Sequence, residues 1–146
     1  ISELSKLKAG RPIKAPIFDF ATFSRSQSSH TSLSQAPIVI VEGIFALHFP
    51  ELLELYETSV FVDTPIDLCF ERRLLRDQQE RGYSEELIRS MWERTVIDSY
   101  QRFVKPSAAR ASKVWNSEED KAFVNQFLAD LEAYLAGNEN APPFER

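Results

Sequence analysis

Ile38-Val39-Ile40-Val41-Glu42-Gly43 is the stretch on which the reading of this chain turns. Four consecutive β-branched residues without polar alternation predict a strand buried on both faces, as in a parallel sheet. A second such run, Val60-Phe61-Val62, closes on Asp63, and Ala46 to Tyr56 between them reads as a crossover helix. That spacing is a βαβ unit. Upstream, Leu4 and Leu7 share one side of a short helix that Gly10 and Pro12 end. Ile13 to Phe23, broken by Pro16, reads as loop and short extended pieces, and polar Ser24 to Gln35 as an exposed excursion. Downstream, Thr64 is expected to cap a helix with Pro65 at its first position, Asp67 in its first turn and Gly82 as its stop. Ser84 opens the next helix, with Leu87, Ile88, Met91, Trp92 and Thr95 along one face, weakening before Pro106. Lys113-Val114-Trp115 reads as a third strand. Ser117 is expected to cap a last helix carrying Phe123, Phe127, Leu131, Tyr134 and Leu135, which Gly137 stops. The expected fold is α/β, a single domain over residues 1–137 with a tail over 138–146.

Composition narrows the classes of function. The 146 residues carry a formal net charge of −5, with 43% hydrophobic and 27% charged residues, enough for a domain with a real core and too apolar for disorder. A mildly acidic chain without a basic block is a poor candidate for non-specific nucleic-acid binding. No apolar run approaches the ~18 residues of a membrane span. The first residues lack the pattern of a signal peptide. The single cysteine, Cys69, cannot form an internal disulfide, and with only His30 and His48 no zinc spacing exists. A reducing cytoplasm is the expected setting. The four glycines, Gly10, Gly43, Gly82 and Gly137, include no pair spaced for a phosphate-cradling P-loop followed by Lys and Ser or Thr.

Three groups of residues point to chemistry. Glu42 and Asp63 end predicted parallel strands, at the sheet edge where open α/β folds bind ligands. A carboxylate there can hold Mg²⁺ directly or through water. Glu42, before Gly43, is the metal candidate, and Asp63, before Thr64-Pro65, reads as the cap of the loop that follows its strand. Arg72, Arg73, Arg76 and Arg81 lie on the helix that ends at Gly82, with Arg73 and Arg76 three apart on one face. Guanidinium forks match phosphate oxygens and hold charge developing on a transferring phosphoryl group. The alternative is a solvated face paired with Glu71, Asp77 and Glu80. Phe18, Asp19, Phe20, Phe23 and Arg25 form the third group. Aromatics in a Pro-bracketed loop stack on a flat ring, and Asp19 can bond a sugar hydroxyl or orient Arg25. The alternative places these phenylalanines in the core.

Read in order, Leu7-Lys8-Ala9-Gly10, Pro16-Ile17-Phe18-Asp19-Phe20 and Ile38 to Glu42-Gly43-Ile44 resemble the uridine kinase branch of the phosphoribulokinase/uridine kinase family. So do Phe61-Val62-Asp63-Thr64, Arg72-Arg73-Leu74-Leu75-Arg76-Asp77, Glu80-Arg81-Gly82 and Phe103-Val104-Lys105-Pro106. The resemblance covers roughly residues 4–116. It implies a three-layer P-loop-type α/β kinase that moves the γ-phosphate of ATP, with Mg²⁺, to a nucleoside 5′-hydroxyl. It implies Glu42 at the Mg²⁺-associated position, Arg76 and Arg81 on ATP phosphates, and Arg73 toward the acceptor, in a lid over about residues 72–92. Phe18, Phe20, Phe23 and Ile44 fall on positions that line the nucleoside pocket.

Departures from the pattern are equally specific. Phe18 stands where uridine kinases usually carry Tyr, Phe23 where they carry His, Tyr83 in place of a lid arginine, and Met91 in place of a polar residue near the base. These changes remove groups that would read a pyrimidine edge, so strict uridine specificity is not expected. The family's P-loop, its Mg²⁺-binding Ser or Thr and its catalytic Asp precede the matching region, so the β–P-loop–α unit is expected to lie outside these residues. Two other readings stand beside the nucleoside kinase. One is a non-catalytic relative that binds a nucleoside or protein partner. The other is a kinase of a sugar phosphate or vitamin-like alcohol. A homo-oligomer is possible in each, and neither nucleic acid nor membrane is an expected partner.

Overall fold

The computed structural model describes residues 1–19 and 24–137. They divide into two compact units, residues 1–42 and 43–146.

In the first unit, helix α1 (Ser2–Lys8) leads into an antiparallel pair, β1 (Ile13–Asp19) and β2 (Ser24–Leu33). Gly10 turns the chain out of α1 at φ +77°, and a Cβ there would meet the Gln35 side chain at 3.0 Å. Leu7 and Ile13 are the buried apolar residues of this unit. Strand β1 lies within the stretch read as loop and short extended pieces, and the polar run expected as an exposed excursion instead pairs with it as β2. The register runs Ile13↔Leu33 to Pro16↔His30, then shifts to Phe18↔Arg25. Pro16 has no N–H to give the ladder, so the irregularity falls beside it. A polar sequence is no obstacle to pairing, because β2 is exposed and its backbone, not its side chains, makes the ladder.

Ile38 to Val41 form no strand, which corrects the reading that opened the sequence analysis. Val39 and Ile40 are exposed, Ile40 by 78%. A parallel strand is held by hydrogen bonds from its neighbours, and among the described residues none pairs with this run. The expected crossover helix over Ala46 to Tyr56 is also reduced, to a turn over residues 44–48 and the single helical turn α2 (Pro50–Leu53). Pro50 is the cause. It lacks an N–H and pushes the preceding residue out of the helical region, and Phe49 sits extended at φ −92°, ψ 117°.

From residue 60 onward the sequence reading holds closely. Strand β3 (Val60–Asp63) pairs in parallel with β4 (Lys113–Asn116), and Phe61 is buried. Hydroxyl groups clip both ends of this pair. Ser59 and Ser112 Oγ lie 3.2 Å apart at one end, and Thr64 Oγ1 and Ser117 Oγ lie 2.9 Å apart at the other. Thr64 and Ser117 therefore do not cap helices as expected: each follows its strand by one residue in a shared register, so the two hydroxyls meet. Pro65, expected at the first helical position, is instead the residue before α3 (Ile66–Arg81), which has no side-chain cap among the described residues. Helix α3 ends at Gly82 in the left-handed region, φ +66°. Ser84 Oγ accepts from Leu87 N and caps α4 (Glu85–Met91), as read. Ile88 in α4 is fully buried.

The helical path continues with two π-type stretches, Trp92–Val96 and Tyr100–Val104, around the short α5 (Ile97–Ser99), and closes in a 3₁₀ piece, Lys105–Arg110. In the first turn of helix α6 (Ala122–Leu135) the Phe123 N–H donates to Asp120 Oδ1 at 3.0 Å, and the Phe123 ring stacks on those of Trp115 and Phe127. The α/β class is thus observed, with parallel pairing at β3–β4. No helix among the described residues is long and apolar enough to cross a membrane.

Candidate functional site

The C-terminal half of α3 carries the densest charge organisation of the molecule. Arg73, Asp77 and Arg81 are spaced four apart, which puts all three on one stripe of the helix. Asp77 lies at the centre, with its side chain 1% exposed. Its Oδ2 accepts from Arg73 Nε at 3.2 Å. Its Oδ1 accepts from Arg76 Nε and Nη2 at 3.0 and 2.9 Å and from Arg81 Nη1 at 2.9 Å. A buried carboxylate is tolerated only when its lone pairs are filled in this way. Three guanidinium groups against one carboxylate leave these four side chains with a charge of +2.

The main chain of Asp77 is used as well. Its carbonyl accepts N–H groups from Gly82 and from Tyr83, the latter at 3.1 Å, so it closes the left-handed turn that follows Arg81. Arg72, the fourth arginine of the run, is separate: it pairs with Glu118 at 3.0 Å on the surface. The structure therefore brings together Arg73, Arg76 and Arg81 and leaves Arg72 as the solvated pair. Asp77 was read only as one partner on a solvated face, and its organising position was missed. The Arg-x3-Asp-x3-Arg spacing was the signal that could have found it.

The remaining candidates fall as follows. Phe18 lies in β1, is 44% exposed, and sits opposite Arg25 in the hairpin register. Asp19 ends β1, opposite Ser24. Phe20 and Phe23 lie outside the described residues. Glu42 is an exposed residue at the end of the first unit. Ile44, 68% exposed, lies at the start of the second unit beside Gly43, and that unit also holds the arginine cluster. Among the described residues no group of three or more His, Cys, Asp or Glu side chains could hold a metal ion. A lone carboxylate still fits Mg²⁺ when the ion arrives on phosphate oxygens and keeps most of its water, so Glu42 is compatible with that chemistry.

Two other features flank α3. Cys69 lies in its first half, its Sγ directed to the Thr64 carbonyl at 3.7 Å. Burial pushes this thiol above its ordinary range; Arg72 opposes the shift and Asp63 adds to it. A groove of about 270 Å³ runs between α3 and the start of the π-type stretch, with the Phe70 and Trp92 rings 5.2 Å apart and the Arg89 guanidinium 5.0 Å over Phe70. Arg73, Arg76 and Arg81 do not line it.

The chain is similar in sequence to proteins of one known family. The sequence model described as the phosphoribulokinase/uridine kinase family matches residues 1–122. The uridine kinase of Shewanella frigidimarina (strain NCIMB 400) is 40% identical over 106 residues, which is 73% of this chain and 50% of that protein. The uridine kinase of Ureaplasma urealyticum serovar 10 is 33% identical over 133 residues, 88% of this chain and 64% of the relative. That of Ureaplasma parvum serovar 3 (strain ATCC 27815) is 35% identical over 116 residues, 78% and 56% respectively. The chain thus spans about half to two thirds of the length of these curated relatives.

Proposed function

The chain belongs to the phosphoribulokinase/uridine kinase family, and on that premise we propose that it forms the lid-bearing part of an ATP-dependent kinase acting on a nucleoside or similar small alcohol. The observation that carries this reading is the gathering of Arg73, Arg76 and Arg81 on Asp77. Phosphoryl transfer asks little covalent chemistry of the protein. It needs reactants held in line and the charge on the transferring group neutralised. In the reaction the bond from the γ-phosphorus to the β,γ-bridging oxygen breaks, a bond to the acceptor hydroxyl oxygen forms, and the hydroxyl proton passes to a base.

In this reading Arg76 and Arg81 hold ATP phosphate oxygens and Arg73 reaches toward the acceptor. Glu42 orients the Mg²⁺ that comes with ATP, which would supply further charge neutralisation. The resemblance assigns Phe18, Phe20, Phe23 and Ile44 to acceptor-pocket positions, and Asp19 is the candidate to bond a sugar hydroxyl or orient Arg25. The P-loop and the base that takes the proton come from outside these 146 residues. The cytoplasm is the matching setting.

A second reading, a kinase of a sugar phosphate or vitamin-like alcohol, is favoured by Phe18, Phe23, Tyr83 and Met91, which stand where a uridine site would carry polar groups. The test is an ATP-dependent phosphorylation screen of the complete protein against uridine, cytidine, purine nucleosides, sugar phosphates and vitamin alcohols. Turnover of a nucleoside supports the first reading, turnover confined to the other acceptors supports the second, and no turnover of any acceptor overturns both.

A further inference from the structure

We propose that Asp77 is a positioning residue for phosphoryl transfer, its buried carboxylate holding the acceptor-side and the ATP-side arginines on its two separate oxygens. The inference rests on the kinase reading above and adds to it the device that organises the charge. Among the described residues Asp77 is the only charged side chain that is fully buried. Stability alone gives little reason for it, because an apolar side chain of similar volume at a buried ion-pair site is often neutral or stabilising. The division of its bonds gives a better one. Oδ2 takes Arg73 alone, while Oδ1 takes Arg76 and Arg81. In the kinase reading above the same division separates the two substrates, with Arg73 toward the acceptor and Arg76 and Arg81 toward the nucleotide phosphates. One rigid carboxylate thus sets the spacing between two sets of donors that must act on either side of one phosphorus.

The backbone of Asp77 supports the same end. By closing the turn at Gly82 and Tyr83 it fixes the path of the chain immediately after Arg81. Free arginine side chains each carry roughly 2 kcal/mol of rotamer entropy, and holding them in advance removes that ordering from the approach to the aligned transition state. The carboxylate offsets one of the three guanidinium charges. Loss of the carboxylate would therefore raise the positive charge while releasing the geometry. Attraction for ATP is kept and alignment is lost, which gives a distinct kinetic signature.

The test compares Asp77→Asn, Asp77→Glu, Arg81→Ala and the Asp77→Asn/Arg81→Ala double variant in the complete protein, using ATP and the best acceptor from the screen. For folded Asp77→Asn we expect kcat to fall by about tenfold to a hundredfold without a rise in the KM for ATP. In the Arg81→Ala background the same substitution should cost clearly less, because it acts through arginines already impaired. If Asp77→Asn does not fold, Asp77→Glu decides, since it keeps the charge and moves the carboxylate by one methylene: a lowered kcat at unchanged KM supports the inference. A folded Asp77 variant with parental kcat, or equal costs in the two backgrounds, overturns the positioning role and leaves the kinase reading intact. A parent protein that transfers no phosphate overturns both.

Discussion

Cys69 and Asp77 stand eight residues apart on α3 and show how burial decides what a polar side chain does. Asp77 is buried, and both of its carboxylate oxygens accept from arginines. Cys69 is half-buried, with only a weak contact to the Thr64 carbonyl, so burial pushes its thiol up. A thiol is neutral when protonated, and a folded-state pKa above the unfolded value means that folding disfavours the thiolate. Below the ordinary thiol range this costs nothing; as pH rises through and above it, stability is lost. We expect native Cys69 to alkylate more slowly with iodoacetamide at pH 8 than in the urea-unfolded chain. Equal rates, followed by mass spectrometry, would show that the thiol is not shielded. The same residue-level logic explains why Asp77 escaped the sequence reading. Its neighbours are charged and its helix looks solvated, so the i, i+4, i+8 spacing of Arg73, Asp77 and Arg81 reads as an exposed ion-pair face unless burial is known.

At the scale of elements, what was readable was what local chemistry dictates. Pro65, Gly82 and Ser84 bracket two helices, and α3 and α4 begin and end where those residues place them. Removing the Ser84 cap should be costly on its own account, since its Oγ satisfies the Leu87 amide. Ser84→Ala should destabilise by about 1 kcal/mol in urea denaturation. Gly82→Ala should cost a similar ~1 kcal/mol or more, because φ is +66° there although a Cβ would meet no atom within 4 Å. If Gly82→Ala is as stable as the parent, the left-handed turn does not hold the end of α3. Elements that depend on distant partners were not readable. Ile38 to Val41 have every local mark of a strand but no ladder to join among the described residues. The β1–β2 hairpin has few such marks and forms because two segments meet. Pro50 was a local signal within the expected crossover helix, and it was overlooked.

For the whole molecule, the α/β class and the family were readable because they rest on the order and spacing of many short motifs, each weak alone. The core is small in the described residues, with Leu47, Phe61 and Ile88 the buried apolar side chains of the second unit. Apolar side chains such as Ile40, Ile44, Val62 and Val114 are at least half exposed. The chain spans about half to two thirds of its curated relatives, and its reading as a kinase concerns the complete protein. The central claim is that the arginines on Asp77 stabilise charge in phosphoryl transfer, and the most direct measurement is steady-state kinetics of the complete protein with and without Arg76→Ala. Arg76 is the most exposed of the three, so its removal disturbs packing least. We expect kcat to fall by about 2–4 kcal/mol of transition-state stabilisation, with a smaller rise in the acceptor KM. Equal kcat in variant and parent would contradict the role of the cluster in the reaction.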